Sequence, residues 1–187
     1  MTSPGAVIGF VRGRHAYSRL IEAKGGWLYS HVTTLLPGGR DVLDSTWFLT
    51  DWLFHGSRHN GVQVRPLYYL DGEAIDWFKL CGTQKQVDVY HESLRSQVRK
   101  PYDFLGIRHF VFGTIPDRNF RDRSAWFCDE LVMWAAERAG LLPRLFIPPY
   151  RIDPSGCALA LQVAGALPIA LNDIRRSRSI PFFDAHI

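Results

Sequence analysis

A chain of 187 residues, 47% hydrophobic and 13% aromatic, is long and apolar enough for one domain with a substantial core, which excludes a disordered polymer. Its 22 Lys and Arg against 18 Asp and Glu leave a net charge of +4 without a long basic block, so nucleic-acid binding is not indicated. Three scattered cysteines, Cys81, Cys128 and Cys157, argue against a disulfide framework and a zinc ribbon. Reduced thiols and a cytoplasmic location follow as expectations. No secretory leader or membrane span is visible, so a target outside the cytoplasm would require delivery by another system.

In chain order, Val7 to Val11 reads as a strand and Tyr17 to Lys24 as a short helix stopped by Gly25-Gly26. Trp27 to Leu36 and Arg40 to Phe48 flank Pro37-Gly38-Gly39, the pattern of a β-hairpin. Thr50 to Asn60 reads as a loop: His55 and His59 have a metal-like spacing, but Gly56 disfavours the helix that would align them. Gly61 to Leu67 alternates as a third strand of the same sheet. Val87 to Tyr90 is expected to be a further strand and His91 to Arg99 a helix, with a break at Lys100-Pro101.

From Ala125, the spacing of Phe127, Leu131, Val132, Ala135 and Ala139 predicts an amphipathic helix, capped by Ser124 or Asp122 and ended by Gly140. A proline-rich segment follows, then Cys157 to Val163, either helical turn or strand. The sum is a single α+β domain over residues 1–187, with helices packed on a mostly antiparallel sheet.

Cys128 opens the strongest helix of the chain. First-turn N–H groups lack partners and carry partial positive charge, which favours a thiolate and hence a nucleophile; alternatively, Cys128 is a small buried hydrophobe. His31 lies in the first hairpin strand, on the face opposite Ser30 and Val32, and Asp44 lies 13 residues on, across the turn. An acid facing an imidazole fixes its tautomer and stabilises its charged form, the orienting role in a catalytic triad, although a plain cross-strand pair has the same spacing. Tyr102 is either a packed aromatic or a hydrogen-bond donor to a substrate carbonyl or oxyanion. Cys81 and Cys157 are assigned to packing.

Pro101-Tyr102-Asp103-Phe104-Leu105-Gly106, followed by Phe127-Cys128-Asp129-Glu130-Leu131-Val132, resembles the signature of NlpC-type papain-like cysteine hydrolases. Because Tyr29-Ser30-His31-Val32 precedes the cysteine, the resemblance is to their circularly permuted branch, which includes the lecithin:retinol acyltransferase relatives. The strands at Val42-Leu43-Asp44-Ser45 and Gly61-Val62-Gln63-Val64, and Asp153-Pro154-Ser155, extend the match over all but about the last thirty residues.

The resemblance implies a papain-like fold with Cys128 as nucleophile, His31 as general base, Asp44 as third residue and Tyr102 beside the cysteine. The implied substrates are short peptides, cell-wall peptides with D-residues or γ-linkages, or acyl-bearing molecules, with no metal or cofactor required. Two departures stand out: Asp44 replaces the more usual Glu or His, and Asp129 replaces the Ser that commonly follows the cysteine, where a carboxylate opposes thiolate formation. The leading expectation is a thiol hydrolase of amide bonds. An acyltransferase and a non-catalytic module of a phage or cell-envelope assembly are the alternatives.

Overall fold

The structure is a computed structural model that describes residues 3–13, 23, 26, 28–46, 60–103, 124–144 and 152–170. It is α+β, with an open, fully antiparallel six-stranded sheet and three helices among the described residues. The strands are β1 (Gly5–Arg12), β2 (His31–Leu35), β3 (Asp41–Thr46), β4 (Gly61–Pro66), β5 (Ala74–Cys81) and β6 (Leu167–Ile169). The helices are α1 (Gln84–Arg95), α2 (Cys128–Arg138) and α3 (Pro154–Val163). Spatial order is β4-β3-β2-β1-β5-β6, so the first four strands run consecutively and β5 returns to the free side of β1.

Strand alternation sorts the apolar side chains onto two faces. Ala6, Ile8, Phe10, Val32, Leu43 and Leu80 join Leu94, Leu131, Met133 and Leu161 in the main core, between sheet and helices. Leu35, Val42, Leu70 and Trp77 form a smaller cluster. Gly9 sits opposite Trp77 in the β1–β5 register, and a Cβ there would lie 2.7 Å from the indole, so only glycine admits the ring over the sheet.

Strands β1 to β4 and the hairpin lie where the sequence puts them. β2 begins only at His31 because Ser155 Oγ accepts from the Leu28 and Tyr29 N–H groups (2.9 and 3.4 Å), leaving none for a strand neighbour. The expected strand at Val87 to Tyr90 is instead the middle of α1. Val87, Tyr90, His91 and Leu94 are buried at helical spacing, and Thr83 and Gln86 form a capping box at the helix start.

β5 and β6 were not anticipated. β5 carries apolar residues on both sides, Trp77 beside Phe78, because it is an interior strand between β1 and β6, and it therefore lacks the clean alternation of a half-exposed strand. The segment after Cys157 is helical, with Asp153 as N-cap accepting from the Gly156 N–H (2.8 Å) and Pro154 in the first turn. Cys157 is buried, whereas Cys81 is exposed at the end of β5, which corrects its assignment to packing. The expected helix before Gly25 lies outside the described residues apart from Ala23, as do nearly all of the loop at 50–60 and most of the proline-rich segment.

Gly61 opens β4 with φ +92°, and its neighbour Val62 exchanges backbone hydrogen bonds with Lys100 and Arg99. A Cβ at Gly61 would fall 2.1 Å from the Lys100 carbonyl oxygen. Gly61→Ala is expected to cost at least about 2 kcal/mol through left-handed strain and collision with backbone, read as a lower urea midpoint. A midpoint equal to that of the parent protein would contradict this account.

Candidate active site

The hairpin builds the first half of the site. Thr33 pairs with Asp44 across β2 and β3, and His31, two residues before Thr33, shares their face. His31 Nε2 lies 3.2 Å from Asp44 Oδ2. Val42 pairs with Arg65 on β4, which brings the guanidinium to the same face, with Nε 3.5 Å from Asp44 Oδ1. Asp44 has no solvent-accessible side-chain surface, and a basic group stands at each of its oxygens, the pairing that a buried carboxylate requires. Arg65 is itself fixed by donating to Thr46 Oγ1 (2.9 Å) and by lying over the Tyr69 ring, 5.2 Å from its centroid.

The second half is the start of α2. Cys128 is its first residue and is buried; the N-cap is Phe127, whose side chain makes no capping bond, and not the expected Ser124, while Asp122 lies outside the described residues. Acids within the turn take over that task. The Glu130 carboxylate reaches back to the Phe127 N–H, and the Asp129 carboxylate accepts from its own N–H and that of Glu130. The Cys128 thiol donates to Asp129 Oδ1 at 3.7 Å.

Two ties hold the halves together. Ser45, next to Asp44, donates its hydroxyl to the Trp126 carbonyl (2.7 Å), fixing the backbone two residues before Cys128 against β3. Trp126 also forms an isolated bridge with Tyr102, whose ring meets Phe127 edge to face at 6.0 Å. Tyr102 is thereby held beside the segment that delivers the cysteine.

Electrostatics couple the two halves. Burial disfavours a charged His31, but the Cys128 charge, the Asp44 hydrogen bond and a hydrogen bond with Cys128 outweigh it and raise the imidazole from 6.5 to about 10. Since Nε2 faces Asp44, Nδ1 is the nitrogen left for the sulfur.

Asp129 is raised to about 7, first by burial and then by the Asp153 charge, against its backbone hydrogen bonds. Glu130 is raised to about 8 by burial and by Asp129. Folded values above the unfolded ones mean that both acids favour the folded chain fully below about pH 4. That contribution is lost as pH climbs through about 7 and about 8.

Of the residues singled out in the sequence, His31, Asp44 and Cys128 are brought into one interacting set, with Tyr102 alongside. Arg65, Ser45 and Ser155 were not singled out as site residues; Ser45 carried a signal in its adjacency to Asp44, and Ser155 in the Asp153-Pro154-Ser155 match. Among the described residues no three His, Cys, Asp or Glu side chains are placed to hold a metal ion, and no helix is long and apolar enough to cross a membrane. No protein-family model matches the chain, and no curated protein matches it.

Proposed function

We propose that this chain is a thiol hydrolase of amide bonds, related to the permuted NlpC-type papain-like hydrolases, with Cys128 as nucleophile, His31 as acid and base and Asp44 as the orienting acid. The observation that carries this reading is the 3.2 Å contact of His31 Nε2 with the buried Asp44 carboxylate, on an imidazole whose charged form the neighbouring Cys128 and Asp44 favour.

In this mechanism Cys128 and His31 form a thiolate–imidazolium pair, the proton of the thiol residing on His31 Nδ1, and the thiolate attacks the carbonyl carbon. The oxyanion is stabilised by the Cys128 N–H and by the Tyr102 hydroxyl. The C–N bond breaks as the imidazolium gives its proton to the leaving amine, producing a thioester. Water then attacks the thioester carbonyl, giving a proton to Nδ1, and the thiolate departs with release of the acid. Asp44 keeps Nε2 bonded throughout, and Arg65 stands at its other oxygen.

Short peptides and cell-wall peptides with D-residues or γ-linkages are the proposed substrates. Intact-mass analysis after rapid acid quench of a reaction with such peptides should show an acyl adduct on the parent protein and none on Cys128→Ala. A fatty-acyl adduct would redirect the assignment to an acyltransferase. Turnover retained by Cys128→Ala would end the proposal.

A further inference from the structure

We propose that Asp129 is a positioning residue that draws the Cys128 sulfur away from His31 when it is charged and releases it when protonated, making the thiol most reactive in mildly acidic solution. This inference rests on the thiol-hydrolase reading of the same site. The Cys128 S–H donates to Asp129 Oδ1 at 3.7 Å, a contact that favours the thiol form of the sulfur over the thiolate–imidazolium pair with His31. Asp129 is 7% exposed, and backbone hydrogen bonding at Asp129 and Glu130 favours its charged form.

The surroundings decide the sign. Asp129 is faced by Cys128 and Glu130 on its own helix and by Asp153 and Cys157 of α3, while Asp103 faces Glu130. All of these are acids or thiols; the imidazole of His31, reached through Cys128, is the cationic member of the set. An ionised Asp129 therefore adds negative charge where a thiolate must form and offers the thiol a competing acceptor. Both effects lower the reactive fraction. Burial and Asp153 place the transition at about pH 7.

The readout is iodoacetamide labelling of Cys128, followed by peptide mass to separate it from the exposed Cys81. From pH 5.5 to 8.5 the parent rate constant is expected to fall about tenfold, with a midpoint near 7. Asp129→Asn, which retains an acceptor for the helix N–H groups, is expected to be flat within about twofold over the same range. Asp129→Ser serves equally if the Asn variant does not fold, as judged by circular dichroism.

A merely structural role would lower the rate at every pH and leave the midpoint in place. Labelling that shows no fall in the parent, or the same fall in the folded variant, overturns this inference and leaves the hydrolase reading intact. A Cys128 unlabelled at every pH in the folded protein, yet labelled after denaturation, overturns both.

Discussion

His31→Ala is expected to lower kcat/KM for peptide hydrolysis by about 10²- to 10⁴-fold, the range spanned by a single well-placed proton donor and acceptor. Two steps suffer together: the thiol loses the group that receives its proton, and the departing amine loses the group that protonates it. The parent imidazole holds its charge to about pH 10 because it stands beside the sulfur and Asp44, so it is available as an acid across the whole neutral range. In the alanine variant the thiol must ionise unaided, and labelling of Cys128 should rise steadily with pH. Circular dichroism of the variant should match the parent, since the side chain is 18% accessible and sits at the end of β2 rather than in the core. Parent-like kcat/KM in a folded His31→Ala protein would remove the mechanism.

Asp44→Ala is expected to reduce stability by about 3–5 kcal/mol, the usual consequence of removing one member of a buried ion pair. The cost arises from what remains: a guanidinium only 13% accessible, and a ring nitrogen, both left facing a cavity. Removing the stranded cation should relieve part of the loss. Urea unfolding of Asp44→Ala, Arg65→Met and the double variant forms a cycle in which the double variant loses clearly less than the sum of the two single variants. Strict additivity would mean that Arg65 does not support the carboxylate. Activity should fall even at temperatures where Asp44→Ala remains folded, because the imidazole can then turn and present the wrong nitrogen.

The sequence revealed those parts of the molecule whose information is local. The Pro37-Gly38-Gly39 turn lies between the hairpin strands, whose register pairs Asp44 with Thr33 and leaves His31, two residues earlier on the same face, as its diagonal neighbour. The apolar spacing from Leu131 onward placed Cys128 at a helix start. Arg65 escaped because it occupies a polar position of an alternating strand, which reads as a solvent contact until β4 is known to lie beside β3. The contacts of Ser155 escaped for a stronger reason: its partners Leu28 and Tyr29 lie 127 and 126 positions earlier, a separation at which pattern carries no signal. The misreading of α1 came from Val87 and Val89, which mimic strand alternation over four residues, whereas Tyr90, His91 and Leu94 restore the helical period only over a longer window.

The bond from Ser155 to the entrance of the histidine strand has a bearing on biosynthesis. As the polypeptide leaves the ribosome, the imidazole and its acid emerge early and the thiol about a hundred residues later, yet the clamp on Leu28 and Tyr29 is supplied only when α3 has been made. Nascent chains therefore carry His31, Asp44 and Cys128 before the residues preceding β2 are fastened. The contact between Ser155 and the start of the histidine strand forms only once α3 has been synthesised.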